Sequence, residues 1–125
     1  MAFDRVFITA TGAYYPGEPV GNGDIDRYIE PLNAQSPRIK RRILGENGIR
    51  TRHYAIDGNG RSTHTCAQLA ANAVRACVGS DIDDGSALGG IDLLAAATSS
   101  GGLILPRFAN QLEAELRGPA MGVAS

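Results

Sequence analysis

Two cysteines and two histidines stand in the chain, and Cys66 with His64 is the pairing that invites nucleophilic chemistry. Cys66 follows Thr65 at the expected start of a helix, where the dipole favours thiolate over thiol. His64, two residues earlier, is the residue type of a general base. The spacing speaks against the pair, because side chains two apart do not share a helical face. The plainer reading makes Cys77 a core residue, Cys66 a first-turn packing residue and His64 part of a loop.

A second group is basic. Arg38, Lys40, Arg41, Arg42, Arg50 and Arg52 place half of the 12 cations within fifteen residues, with Glu46 the opposing carboxylate. Such a cluster suits a phosphate, a pyrophosphate or an acidic protein; the alternative is a solvated helix face. Neither G-x-G-x-x-G nor G-x-x-x-x-G-K-[ST] occurs, so dinucleotide and P-loop chemistry have no support. Asp81, Asp83 and Asp84 lack the further ligands of a calcium loop. Two cysteines cannot complete a tetrahedral zinc site, so no metal centre is expected.

These residues sit in 125, the length of about one domain or part of one. The composition is globular: 43% hydrophobic, 20% charged, with a formal net charge of -1. That balance excludes a nucleic-acid module driven by bulk charge and an acidic disordered tail. Asp4 stands where a signal peptide would be basic, and the uncharged run Leu93–Pro106, broken by Gly101 and Gly102, is too short to span a bilayer. A reducing, cytoplasmic setting and no membrane partner are expected.

The elements that must position these groups follow from pattern. Arg5–Thr11 is β-branched and aromatic and runs into Gly12, as a buried first strand would. Asn22 before Asp24 and Asp26 predicts an Asn-capped helix with acids in its first turn, broken by Pro31 and Pro37. Arg38–Leu44 predicts a short basic helix closed by Gly45. Gly48–Tyr54 alternates like a half-exposed edge strand, and Asp57–Gly60 is a turn on chemistry alone.

Thr65-Cys-Ala-Gln68 matches a capping box, followed by an apolar stripe of Leu69, Ala70, Ala73, Val74 and Cys77 and a stop at Gly79. Asp81–Gly90 reads as a polar connection. Ile91–Ala97 reads as a fully buried parallel strand leading into Thr98-Ser-Ser-Gly-Gly, the end at which α/β folds keep their sites. Pro106–Leu116 predicts a helix with Phe108, Leu112 and Leu116 on one face, ended by Gly118-Pro119. Ala120–Ser125 begins a further strand. This order predicts an α/β fold: a mostly parallel sheet with helices on its faces.

Several of these segments together resemble the opening of the ketoacyl synthase III family of the thiolase superfamily. The landmarks are I-T-A-T-G-A-Y-Y-P-G-E-P-V-G-N-G-D-I at the start, Gly48-Ile-Arg-Thr-Arg, and Thr63-His-Thr-Cys-Ala-Gln-Leu-Ala-Ala-Asn-Ala. Ile91-Asp-Leu-Leu-Ala-Ala-Ala-Thr-Ser-Ser and Leu105-Pro106 complete them, in the family's order over essentially the whole chain. The resemblance implies the incomplete N-terminal half of a thiolase-like fold, residues 1–125 ending before the nucleophile turn.

It also implies a Claisen condensation, in which an acyl group loaded on cysteine is joined to an extender carried on acyl carrier protein. That chemistry needs a thiolate at a helix N-terminus, with His and Asn or His donors for the extender and the enolate oxygen. On the family pattern the nucleophile falls beyond Ser125, and neither Cys66 nor Cys77 takes its place, so residues 1–125 alone are expected to be inactive. Thr98, Ser99 and Leu105 are the implied substrate contacts, Leu105 reaching across a dimer interface into the partner's acyl pocket. Arg38, Lys40, Arg41, Arg42 and Glu46 are the implied entrance for carrier protein or phosphopantetheine.

Members that use coenzyme A hold a Trp six residues before the Gly of G-I-x-x-R and an Arg two before it. Arg42 and Glu46 stand there, so the phosphopantetheine thioester of a carrier protein is the expected substrate arm, and coenzyme A is disfavoured. No bound cofactor is implied. The expected partners are acyl carrier protein, the C-terminal remainder of the synthase on the same or a separate chain, and a second thiolase-type subunit in a homodimer or heteromer. The setting implied is secondary metabolism, polyketide or fatty-acid-like biosynthesis. The alternative is a non-catalytic thiolase-like partner subunit.

Overall fold

Helices form over 66–78 and 108–116, where alanine and leucine recur at helical spacing, and over the arginine-rich 37–46, and strands are short. A computed structural model describes residues 5–28, 37–79, 88–99, 104–117 and 122–124. The chain divides into two units, Tyr15–Thr65, and Met1–Tyr14 with Cys66–Ser125.

In the unit Tyr15–Thr65, β1 (Val20–Gly21) pairs antiparallel with β2 (Thr51–Arg52), Val20 opposite Arg52 and Gly21 opposite Thr51. The strand expected over 48–54 is therefore real but two residues long. Between the two strands lie a single 3-10 turn, Ile25–Arg27, and α1 (Pro37–Glu46). Two expectations change here. Asn22 caps no helix: Asp24 is the residue before the turn, and the Asn22 amide serves the strand pair instead. Its Nδ2 donates to the Ile49 carbonyl at 3.2 Å, and its Oδ1 accepts from Arg52 at 2.5 Å. Gly45 does not close α1, which continues to Glu46; the Asn47 N–H still reaches the Ile43 carbonyl, and the turn out is made at Gly48, with φ +67°. Pro31 lies outside the described residues, and Pro37 opens α1, where its missing N–H costs nothing.

In the other unit, α2 (Cys66–Val78) has five alanines among its 13 residues, the strongest helix formers. It begins directly after Thr65, as the capping box predicts. It ends at Gly79, whose φ of +90° lets its N–H return to the Arg75 carbonyl. Its buried line differs from the predicted stripe: Ala67 and Ala71 are buried, and Ala70, Val74 and Val78 pack beside the core, while Leu69, Ala73 and Cys77 are half-buried. The small side chains let neighbouring backbone close in. A Cβ on Gly12 would stand 2.5 Å from the Cys77 nitrogen.

β3 (Leu93–Ala95) runs parallel to β4 (Gly122–Ala124), in the register Leu94 opposite Val123. The parallel strand is as predicted, but its burial is one-sided. Leu94 and Ala96 pack on the core, and Leu93 on the other face is exposed. α3 (Phe108–Leu116) buries Ala109, Leu112 and Leu116, so Ala109 and not Phe108 completes its inner face. It stops at Arg117 in the left-handed region (φ 52°); Gly118-Pro119 lies outside the described residues. Arg75 fastens the two helices, its Nη2 donating to the Glu115 carbonyl at 2.9 Å.

The core of this unit is Ala71, Leu88, Leu112 and Leu116. Leu88 falls in the stretch 81–90 read as a polar connection, of which 81–87 lie outside the described residues. It is an anchor in a loop, too isolated in sequence to show periodicity. The other departure is Arg5–Thr11. These residues form no strand, and Val6 and Ile8 are each 87% exposed, because no described strand lies alongside to accept their backbone and cover their side chains.

Candidate functional site

α1 carries the basic cluster. Lys40 Nζ is ion-paired with Asp26, whose residue belongs to the 3-10 turn, and Arg42 Nε donates to Glu46 Oε1 at 2.8 Å, one helical turn on. Arg41 Nε donates to the Pro37 carbonyl at 3.4 Å. Arg42 and Glu46, singled out by the family resemblance, are thus engaged with one another. Both are well exposed, and a pair of this kind contributes on the order of 0.3–0.5 kcal/mol. A cavity of about 240 Å³, lined by Asn22, Asp26, Pro37, Lys40, Arg41 and Leu44, adjoins the helix. It is below the roughly 300 Å³ at which small-molecule pockets begin, and a carboxylate stands in it. Asp26 makes it a poor seat for a free pyrophosphate.

The outer face of α1 was not singled out by motif. Ile39 is 50% exposed and Ile43 is 53% exposed, one turn apart on a helix otherwise rich in arginine. The signal was present in the sequence as an apolar i, i+4 pair inside a basic segment.

Of the other implied site residues, Thr98 and Ser99 are exposed just beyond the end of β3, and Leu105 is 74% exposed ahead of α3. They belong to the other unit from α1. Ser100 to Leu103, including Gly101 and Gly102, lie outside the described residues. Cys66 is exposed at the first residue of α2, and His64 Nδ1 bonds with the neighbouring Thr63 hydroxyl at 2.9 Å. Cys77 is half-buried where Gly12 approaches α2.

Two polar devices complete the picture: the His53 contacts, which the sequence did not show, and the Asp57 turn, which stands where turn chemistry puts it. His53 lies beside Tyr15, ring centroids 5.1 Å apart, and its Nδ1 is 3.2 Å from the Pro16 carbonyl and 3.1 Å from that of Gly17. Both partners are acceptors, so Nδ1 carries the proton, and the ring fixes the turn at Gly17. The Asp57 carboxylate accepts N–H bonds from Asn59 and Arg61, each at 2.9 Å. The Arg61 N–H, then that of Asn59, holds this carboxyl below the usual aspartate range. Among the described residues no three His, Cys, Asp or Glu side chains gather as a metal site, and no helix is long and apolar enough to cross a membrane.

No protein-family model matches the chain. It is similar to proteins named β-ketoacyl-[acyl-carrier-protein] synthase III from three bacteria. Against that of Caulobacter vibrioides it is 30% identical over 120 residues, 96% of this chain and 32% of that protein. Against that of Rhodospirillum centenum it is 30% identical over 122 residues, 95% of this chain and 33% of that protein. Against that of Thiobacillus denitrificans it is 31% identical over 116 residues, 93% of this chain and 31% of that protein. Among solved structures it resembles AbyA1, a tetronic acid condensing enzyme, with TM-score 0.59 and 25% identity over 93% of this chain and 34% of that one. The chain spans about a third of the length of the relatives it matches. Its fold is that of an N-terminal segment of a thiolase-like condensing enzyme, and in sequence it is ketoacyl synthase III-like.

Proposed function

We propose that this chain is the N-terminal portion of a ketoacyl synthase III-like acyltransferase that joins an acyl thioester to an extender held on acyl carrier protein. The observation that carries the reading is the similarity to ketoacyl synthase III proteins over 96% of the chain, accompanied by the likeness to a condensing enzyme of known structure. Catalysis rests on a cysteine in the part of the protein following Ser125: its thiolate attacks the acyl thioester carbonyl and expels the carrier thiol. Thr98, Ser99 and Leu105 line the acyl site, which is completed by a second thiolase-type subunit. The enzyme works in the cytoplasm, in secondary metabolism or a fatty-acid-like pathway.

The acyl donor is carried on a protein in preference to coenzyme A. The Arg42–Glu46 pair supports this: a carboxylate stands where the family members that use coenzyme A carry a base, and no aromatic side chain stands at Arg42. The test compares acyl-carrier protein with acyl-coenzyme A as donor to the full protein encoded by the gene. The carrier-bound donor is expected to give the higher kcat/KM. The variant Arg42→Trp/Glu46→Arg is expected to raise kcat/KM for coenzyme A about tenfold or more, since two charge-bearing contacts change sign or kind. Equal use of both donors by the wild type, or no gain in the variant, would contradict the donor assignment.

A further inference from the structure

We infer that the turn leaving α1 is a self-modifying site: Asn47, followed by Gly48, deamidates through a cyclic imide ahead of the other two Asn-Gly steps in these residues. The inference is independent of the proposed function, because the reaction needs only this chain and water.

The three steps are Asn22-Gly23, Asn47-Gly48 and Asn59-Gly60. Asparagine is among the thermolabile residues, and a following glycine leaves its backbone nitrogen unobstructed. The reaction balances without oxidant or cofactor. The glycine nitrogen gives up its proton and bonds to the asparagine Cγ, the Cγ–Nδ2 bond breaks, and Nδ2 leaves with that proton as ammonia. Water then opens the imide at either carbonyl, giving aspartate or isoaspartate. The fold sets the rate, since the attacking nitrogen must be free, the amide must reach it, and Nδ2 must be able to leave.

The three settings differ in these respects. At Asn22 both ends of the amide are held by the strand pair: Nδ2 donates to the Ile49 carbonyl at 3.2 Å, and Oδ1 accepts from Arg52 at 2.5 Å. At Asn59 the attacking nitrogen is occupied, because the Gly60 N–H donates to the Asp57 carbonyl at 3.0 Å. The Asp57 carboxylate, held in the same turn by the Asn59 and Arg61 N–H groups, further opposes loss of that proton. Neither restraint operates at Asn47. Among the described residues no acceptor takes the Gly48 N–H or the Asn47 Nδ2, and both residues are exposed. Oδ1 accepts the Ile49 N–H at 2.9 Å, closing a ring that contains both Cγ and the Gly48 nitrogen. The same bond polarises the amide carbonyl toward attack.

The position gives the change a consequence. Asn47 joins α1 to the stretch leading into β2, and its own N–H donates to the Ile43 carbonyl. Aspartate there puts a carboxylate beside Glu46 at the helix C-terminus, where the dipole disfavours negative charge. Isoaspartate adds a main-chain carbon before Gly48 and so displaces the Ile49 carbonyl from the Asn22 amide that ties the strand pair.

The experiment incubates the full protein encoded by the gene, folded, at mildly alkaline pH, and follows each step by tryptic peptide mass spectrometry. The three steps fall in separate peptides, 6–27, 43–50 and 53–61. Asn47 is expected to convert about five- to tenfold faster than Asn22 or Asn59, the cost of breaking one hydrogen bond before attack. In denaturant the three rates should converge, the local Asn-Gly sequence alone then governing them. Asn47 no faster than the others in the folded protein, or the same ranking in denaturant, overturns the inference. A second readout is isoaspartate itself, labelled by an isoaspartyl methyltransferase. The peptide 43–50 should take up label in aged wild type and lose it in Asn47→Gln, since glutamine must close a larger, slower-forming ring. An unlabelled wild-type peptide overturns the assignment.

Discussion

Asp57 offers a test that needs no knowledge of the reaction. Its carboxylate holds the Asp57–Gly60 turn through the Asn59 and Arg61 N–H groups, and its folded pKa lies below the unfolded value of about 3.9. A depressed folded pKa contributes stability that is present above the unfolded pKa and lost as pH falls through the folded one. The stability gap between wild type and Asp57→Ala should therefore stay constant from about pH 7 to 5 and narrow below about pH 4. Urea melts over that range check it; a gap indifferent to pH would mean the carboxylate does not hold the turn. Leu105 carries the matching prediction for the acyl site. Enlarging it to Trp should shorten the preferred acyl chain while the melting temperature stays nearly constant, because the native side chain is largely exposed. Identical chain-length profiles for wild type and Leu105→Trp would remove it from the pocket. At this scale the sequence showed chemistry-bearing residue types but not their partners. Asn22 reads as a cap beside Asp24 and Asp26, yet the groups that claim its amide, Ile49 and Arg52, lie 27 and 30 residues away.

Helices were legible because their signals are local. The capping position at Thr65, the stop at Gly79 and the apolar spacing of Leu112 and Leu116 all appear where the pattern puts them. Strands were less so, since a strand needs a neighbour that the local pattern cannot name. Gly48–Tyr54 shrinks to Thr51–Arg52, and Arg5–Thr11 forms no strand. The packing of α2 on α3 can be probed directly. Leu116→Ala removes a side chain that is 1% exposed and should cost about 2–5 kcal/mol of unfolding free energy. Gly12→Ala adds only a methyl, yet by forcing it against the Cys77 backbone should cost about 1–3 kcal/mol. Denaturant unfolding separates these from Ile39→Ser on the exposed face of α1, where about 0.5 kcal/mol or less is expected. A Gly12→Ala variant as stable as wild type would show that the segment before Tyr14 does not rest on α2.

For the molecule as a whole, the parallel pair β3–β4 and the helices α1, α2 and α3 stand where the sequence puts them, while the opening strand and the Asn22-capped helix do not form, and the comparisons agree with the family resemblance over nine-tenths of the chain. Under the proposed function neither Cys66 nor Cys77 is the nucleophile. The central claim is that acyl transfer runs through a cysteine further along the protein. The most direct measurement incubates the full protein encoded by the gene with acyl-carrier protein, then locates any acyl adduct by peptide mass spectrometry. A thioester adduct on a cysteine downstream of Ser125 is the expected result. An adduct on Cys66 or Cys77, or none on a folded, carrier-binding protein, as a non-catalytic partner subunit would give, contradicts it.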